Sequence, residues 1–225
     1  MLARVFVIFI ATYRNGEPVL IAAINSTKET CREYMRNTIE SEPDLPSADN
    51  ASKGQLVELH SAMTPHAALR AIVTEILRHL QSNVPGILAG RDAEFLHQAR
   101  VSLRRLRSAQ KTFERILPDT AWPITTVEIK WLATLLGKAR DLDVMLWETL
   151  PTIKTASSDA TDFSPVEKAA QQRRKRLQRQ IGSALTSDRY ATLLLNLQQW
   201  AKAAGTTPAQ SSEKLLRFAR DSLNK

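Results

Sequence analysis

The sequence predicts an all-α protein, an antiparallel helical bundle that follows a short N-terminal segment of β-hairpin and helix. Long runs of Ala, Leu, Arg and Gln with only seven glycines favour helix over most of the chain. From residue 64 onward, apolar residues recur at the spacing of one helix face in six or seven segments joined by short connections. With 225 residues, 43% of them hydrophobic, such a bundle can bury a substantial core.

The N-terminal sixty residues predict two strands and one short helix. Residues 4–12 and 18–24 are apolar, β-branched runs, and Asn15-Gly16 between them is a strong hairpin-turn signal. Residues 27–39 can form a short helix, and residues 40–55 are loop by composition. Because a lone hairpin with one helix makes a poor independent domain, this part is expected to dock on the helices or to be a remnant.

Two long helices are predicted next. Thr64-Pro65 opens the first one with a capping residue and a proline at the first helical position. An Asn-Val-Pro-Gly string at residues 83–86 is expected to end it. A second helix over residues 92–117 follows, and Pro118 stops it.

The rest of the chain predicts shorter helices with clear breaks. A third helix covers roughly residues 123–136, Gly137 is expected to break it, and Asp141 is expected to cap a short helix as far as Leu150. Residues 152–163 are rich in Ser, Thr and Asp and predict a mobile loop. Three further helices are expected to open at Ser164-Pro165, at Ser187 or Asp188, and at Ser212.

The second helix carries a row of cations beside its apolar face. We name as the cationic stripe the side chains that share an arc of about 80° on this helix, namely His97, Arg100, Arg104, Arg107 and Lys111. No acidic residue lies between His97 and Phe113, and several of the cations form like-charge pairs four residues apart, which mildly destabilise a helix. A helix that needed only solubility would mix Glu with these cations. The stripe, which Arg115 is expected to extend, therefore predicts an anionic ligand.

The positive charge of the chain is unevenly distributed. Residues 1–65 carry a net charge of −2 and residues 66–225 a net charge of +10. This imbalance indicates a polyanionic partner or an anionic surface. The helix predicted to open at Ser164-Pro165 is also basic. One side of it carries Lys168, Gln172, Lys175, Arg176 and Arg179. Arg173 and Arg174 lie off this line and form a surface charge cluster or an interaction edge.

Other candidate sites receive structural interpretations. The single Cys31 excludes an intramolecular disulfide and fits a reducing compartment. The apolar run at residues 5–11 is too short to span a membrane, so a cytoplasmic protein is expected. Neither cofactor nor metal is predicted, because the remaining histidines lack metal-ligand spacing and Asp141 suits a cap or a partner for Arg140 better than a metal pair with Asp143. The histidines concerned are His60, His66 and His79. The tryptophans expected in the core are Trp131, Trp147 and Trp200.

Two sequence strings carry a strong resemblance to the CHAD family, the conserved-histidine α-helical domain. They are HQARVSLRRLRSAQKTF at 97–113 and WLATLLGKARDLDVMLWETL at 131–150, and the Ser-Asp-Arg-Tyr string at 187–190 fits the same family. The resemblance covers residues 62–223 and implies an all-α fold that binds inorganic polyphosphate in a basic channel. It implies binding roles for His97, Arg100, Arg104, Arg105, Arg107 and Arg140, to which the charge pattern adds Lys111, Lys138 and Arg189. Arg105 lies about 80° from the nearer edge of the stripe, at His97, and can serve another wall.

The resemblance also has two departures. The family normally has two similar helical halves, and this chain corresponds to the first of them, so we expect either a truncated gene product or a half-domain whose homodimer completes the channel. Residues 1–60 resemble the C-terminal part of a CYTH domain, the triphosphate-tunnel fold, in their strand pair, short helix and Ser-Lys-Gly string at 52–54. The Glu-x-Glu-x-Lys string of the tunnel is missing, so triphosphatase activity is not implied.

The sequence thus predicts a non-enzymatic module that binds inorganic polyphosphate. His97 either hydrogen-bonds a phosphate or ties its helix to a neighbour, and Arg189 either reaches the anion or pairs with Asp188. Three alternatives for the function stay open. The first is nucleic-acid binding, for which the stripe lacks stacking aromatics. The others are docking of an acidic protein and an accessory role beside a phosphohydrolase.

Overall fold

A small antiparallel sheet precedes the helices. The computed structural model describes residues 7–14, 17–24, 50–117, 122–157, 162–202 and 214–223. The strands form a sheet in the order β1–β2–β3, with β1 at Val7–Arg14, β2 at Glu17–Ile24 and β3 at Val57–His60. The predicted hairpin is confirmed, whereas no element was predicted at β3. The predicted helix at 27–39, Asn15-Gly16, Cys31 and the opening at Ser212 lie outside the described residues.

The remaining elements are helical, which confirms the all-α class. A 3₁₀ turn at Glu114–Ile116 follows α2, and a π-helical turn at Met145–Thr149 joins α3 to α4. The helices are α1 Pro65–Leu88, α2 Ala93–Thr112, α3 Trp122–Val144, α4 Leu150–Ala156, α5 Ser164–Leu185, α6 Asp188–Lys202 and α7 Leu215–Leu223.

α1 and α2 form the central pair of the bundle. The prediction that α1 ends at residues 83–86 is wrong, because the helix continues through Pro85 to Leu88. Proline removes one N–H from the helix ladder, but burial of this last turn against α2 compensates for that loss. A Cβ atom on Gly86 would lie 2.2 Å from the ring of Phe95, so glycine is required for this close approach. The sheet packs against α1 and α2.

α3 lies beside α2 and is longer than the sequence predicts. It runs through Gly137 and Asp141 to Val144, so Gly137 does not break it and Asp141 does not cap a new helix. Leu136 and Ala139, on either side of Gly137, are completely buried, and this burial offsets the helix-propensity cost of a glycine, about 1 kcal/mol. The expected loop at 152–163 is also partly wrong, since α4 occupies its first five residues.

α5, α6 and α7 complete the packing. α5 and α6 pack against α1 and α3. α7 is held by two contacts. The ring of Phe218 stacks on that of Phe113 with centroids 5.0 Å apart, and the N–H of Leu215 donates to the carbonyl of Met63 (3.1 Å). The predicted openings at Ser164-Pro165 and at Ser187 are confirmed, the latter by a hydrogen bond from Tyr190 N–H to Ser187 Oγ (3.3 Å).

The prediction of a buried tryptophan set is wrong for Trp147. This side chain is 57% exposed, while Trp131 and Trp200 are half-buried. Trp147 lies within the π-helical turn, where the wider i→i+5 spacing shifts the helix register. Leu146 and Leu150 take the buried positions, and Trp147 is left facing solvent.

Candidate polyanion-binding surface

The cationic stripe owes its position to the way α2 is capped and buried. The carboxylate of Asp92 accepts a hydrogen bond from the N–H of Glu94 (2.8 Å) and fixes the first turn. One face of the helix is fully enclosed by the core, with its side chains at Phe95, Leu96, Ala99, Leu103 and Leu106. Helix geometry fixes the angle between the buried apolar face and the stripe. Burial of that face therefore holds the stripe on the side of α2 that meets α3.

The stripe residues differ in depth. His97 and Arg100 are half-buried, whereas Arg104, Arg107 and Lys111 are exposed. The Nε atom of Arg100 lies 3.8 Å from the position that a Cβ on Gly137 would take, so this side chain reaches α3. From His97 to Lys111 the row extends over about 20 Å at the helical rise of 1.5 Å per residue. Arg115 does not extend the row, because α2 ends at Thr112 and the Arg115 guanidinium lies over the Phe218 ring, 4.2 Å from its centroid.

The four cations of the stripe are not neutralised by the described part of the protein. Within those residues, no carboxylate lies at ion-pair distance from Arg100, Arg104, Arg107 or Lys111. Burial and the neighbouring Arg100 together lower the pKa of Arg104. The like charges therefore repel one another in the free protein, which an anion lying along the row would relieve.

His97 has a lowered pKa and a ring nitrogen without a hydrogen-bond partner in the described residues. Burial lowers the pKa of its imidazole, Glu94 partly opposes this, and Arg140, Arg104 and Arg100 lower the pKa further. Its Nδ1 atom is buried without a hydrogen-bond partner among the described residues. The alternative in which His97 ties α2 to a neighbour finds no partner in that part of the chain. A buried polar atom without a partner costs about 1–3 kcal/mol, so Nδ1 of His97 would gain from any donor or acceptor that reached it.

Arg140 and Lys138, which were both predicted to contact the anion, lie on different sides of α3. Because α3 is continuous, side chains two positions apart are separated by about 200° around its axis. Arg140 lies on the side near His97, whose pKa it lowers, and Lys138 is exposed elsewhere. The Nη2 atom of Arg140 pairs with Oε1 of Glu148 at 2.9 Å, so an anion must compete with an exposed carboxylate for it.

Arg105 and Arg189 lie away from the stripe, and each has partners of its own in the described residues. Arg105 is 6% exposed on a different side of α2 from the stripe, where Nη2 donates to the carbonyl of Gln55 (3.1 Å). Arg189 pairs with the Glu128 carboxylate rather than with Asp188, and its guanidinium lies over the Trp131 ring at 4.0 Å. Both side chains are therefore occupied in holding elements together.

A polar cluster around Arg105 was missed by sequence reasoning. Asn83 accepts from the N–H of Ser52 (3.0 Å) and donates to its carbonyl (2.9 Å). Glu75 accepts from the N–H of Gln55 (2.6 Å). These bonds fasten residues 52–55 to α1, and a Cβ on Gly54 would lie 1.9 Å from Nη1 of Arg105. No local signal could reveal partners 20 to 31 positions apart.

His79 in this cluster predicts acid sensitivity. The side chain is 0% exposed and its Nε2 atom hydrogen-bonds Oε1 of Gln98 (3.0 Å). Burial, and next Arg105, lower its pKa to about 4. The unfolded chain, with an ordinary histidine pKa near 6.5, therefore binds more protons between these values, and stability present above pH 6.5 is lost as the pH falls towards 4. We expect His79 to account for a loss of about 3 kcal/mol over this window.

Urea unfolding at pH 7.0, 5.5 and 4.5 measures this effect. His79→Gln is expected to flatten the loss of unfolding free energy between pH 6.5 and 4, and the exposed His60→Gln is the matched control. A His79→Gln protein that loses stability over this range as steeply as the parent chain would contradict the assignment.

Asp143 forms a buried ion pair with Arg174. Its carboxylate is 0% exposed and accepts from the guanidinium of Arg174. Arg174 also donates to Gln178 (2.7 Å), which in turn donates to the carbonyl of Ile87 (2.7 Å). In the described segments, no three His, Cys, Asp or Glu side chains converge as metal ligands.

Comparisons with known proteins agree with this architecture. The family model of the CHAD domain matches residues 71–225. The crystal structure of the CHAD domain from the plant Ricinus communis is similar, with a TM-score of 0.64 and 32% identity over 81% of this chain and 58% of that chain. This chain thus spans somewhat more than half the length of that protein. No curated protein matches it significantly.

The CYTH-like resemblance of residues 1–60 and the cytoplasmic location both stay predictions. The family match begins at residue 71, so nothing bears out the CYTH-like resemblance of residues 1–60. None of the described helices combines the length and the apolarity that crossing a bilayer requires. The expected cytoplasmic location is not tested by that observation.

Proposed function

The chain belongs to the CHAD domain family, and from this premise we propose that it binds inorganic polyphosphate along the cationic stripe of α2. The observation that carries the proposal is the row of four cations and one half-buried histidine, none of which meets a carboxylate at ion-pair distance in the described residues. A linear polyphosphate presents a negative charge on every unit and needs several cations in succession, which a straight helix face provides.

The residue types suit a chain of phosphates. A guanidinium can donate two parallel hydrogen bonds to phosphate oxygens, whereas an ammonium acts as a compact point charge. Arg100 and Arg104 would therefore orient the chain, and Arg107 and Lys111 would continue the row. Nδ1 of His97 would gain a partner in a phosphate oxygen once the ring is protonated.

We propose binding without catalysis and a second copy as partner. The stripe offers cations and an imidazole but no carboxylate that could hold Mg²⁺ at the anion. Since the chain spans 58% of the related plant chain, two copies could together form a more complete surface. Light scattering with and without polyphosphate tests this, because an increase from monomer to dimer mass is expected when the ligand is added.

Proton uptake on binding is the test of the role of His97. Burial and the neighbouring arginines keep its pKa low in the free protein, and a bound phosphate would raise that pKa again. Binding should therefore take up protons and become tighter as the pH falls. Calorimetry in two buffers of different ionisation enthalpy measures the uptake.

Comparison with the variant His97→Gln separates proton uptake by His97 from proton uptake by the phosphates of the ligand. His97→Gln is expected to bind with little proton uptake, while any uptake by the phosphates remains in both proteins. Affinity should also fall steeply with added salt, as for other polyanions that release counterions. A His97→Gln protein with undiminished proton uptake would assign the effect to another group.

A further inference from the structure

α5 exposes a second row of cations. Between Glu167 and Asp188 the sequence contains no acidic residue. On the side of α5 opposite the core, four exposed cations form a surface that we name the outer face. They are Lys168, Lys175, Arg176 and Arg179. In the part of the chain that the structure describes, none of them lies at ion-pair distance from a carboxylate. The core side of α5 holds Ala170, Leu177 and Ile181.

The outer face is separate from the cationic stripe. α5 packs against α1, α3 and α6, and α2 packs against α1 and α3, so the two cationic rows lie on different helices that share α1 and α3 as neighbours. The two basic helices therefore present two cationic surfaces. A single extended ligand on the stripe does not account for the outer face.

An open groove adjoins the outer face. Its volume is about 290 Å³, and its lining consists of Leu146, Trp147, Glu167, Gln171, Arg174 and Lys175. Glu167 is paired with Lys154 and Arg174 with Asp143, so two of the charged groups are already engaged. Trp147, 57% exposed, and Lys175 are left to meet a ligand. An aromatic plane and a cation thus share one groove.

We propose that the outer face and this groove bind single-stranded nucleic acid, with phosphates along α5 and a base stacked on Trp147. Lys168 to Arg179 extends over about 16 Å at the helical rise, enough for several phosphates. Stacking a base on an aromatic side chain contributes about 1–3 kcal/mol, and the combination of cations with an aromatic platform is typical of single-strand binders.

The groove favours a base over an acidic peptide helix. A docked amphipathic helix needs apolar anchors spaced over two turns, at i, i+3 or i+4 and i+7. This groove offers one exposed ring with Leu146 behind it, which fits one planar group. Polyphosphate, in turn, has no planar group and would gain nothing from Trp147.

Fluorescence anisotropy with a labelled twelve-residue oligothymidylate and an abasic oligomer of the same length tests the proposal. Trp147→Ala is expected to weaken oligothymidylate binding about 5- to 100-fold and to leave the abasic oligomer unchanged, since only the former can stack. Trp147→Phe should restore most of the affinity. Lys175→Glu with Arg179→Glu should weaken both oligomers at least tenfold and leave polyphosphate binding at the stripe unchanged.

Arg100→Ala with Arg104→Ala is the matched variant on the other surface, and it should keep oligothymidylate affinity while losing polyphosphate affinity. The substituted side chains on α5 and the π turn are exposed, and thermal unfolding followed by circular dichroism confirms that each variant folds. Three results would each overturn the proposal. They are unchanged oligothymidylate binding by Trp147→Ala, equal loss in the stripe variant, and equally tight binding of a polyglutamate peptide with the same dependence on Trp147.

Discussion

Replacing Arg100 and Arg104 together by alanine is expected to weaken polyphosphate binding by about 100-fold or more. Hydrogen bonds to charged groups contribute about 1.5–3 kcal/mol each, so two lost arginines remove at least about 3 kcal/mol, and 1.4 kcal/mol corresponds to a factor of ten. The loss should be largest at low salt, where counterion release adds to affinity. Isothermal calorimetry with long-chain polyphosphate measures the change.

The same substitution should not harm the fold. Arg104 is exposed, and the pair is a like-charge repulsion four residues apart, so the free energy of unfolding should stay equal or rise slightly. Arg217→Ala with Arg220→Ala on α7 removes the same charge from exposed positions outside the stripe. If this control loses as much polyphosphate affinity as the stripe variant, the protein binds through net charge and the stripe has no special role.

The stripe could be predicted from sequence because it depends on one helix alone. A period of 3.6 residues places its cations together whatever the neighbours are, and Asp92 fixes the first turn locally. The starts of α1 and α6 were predictable for the same reason, since the caps Thr64 and Ser187 each act within one turn. The start of α5 was predictable from Pro165 in its first turn, although no side chain caps this helix.

What depended on distant partners could not be predicted. Gly137 reads as a helix breaker until the neighbouring Leu136 and Ala139 are known to be buried. Arg105 looks like a member of the basic motif, but its hydrogen bond to Gln55 spans 50 positions. Trp147 has the composition of a core residue, and only the π-helical turn places it at the surface. Tertiary packing decides each of these cases over local preference.

Arg174→Met is expected to lower the free energy of unfolding by about 3 to 5 kcal/mol, because it leaves the fully buried carboxylate of Asp143 without its charge partner. The same change removes the hydrogen bond to Gln178, whose amide donates to the carbonyl of Ile87 at the end of α1. Breaking this chain of contacts loosens α5 from both α3 and α1. Urea unfolding followed by circular dichroism measures the loss.

A double variant shows whether the stability lost in Arg174→Met comes from losing the ion pair or from leaving the Asp143 carboxylate buried without a partner. Replacing both charges by apolar groups, in Asp143→Leu with Arg174→Met, removes the uncompensated buried charge, so most of the lost stability should return. Arg173→Met takes a cation from the neighbouring exposed position and should change stability by less than about 0.5 kcal/mol. A double variant as unstable as Arg174→Met alone would mean that the guanidinium supports the bundle through its hydrogen bond to Gln178 rather than through its charge. In that case the glutamine bridge between α5 and α1, and not the ion pair with α3, would hold the outer helix in place.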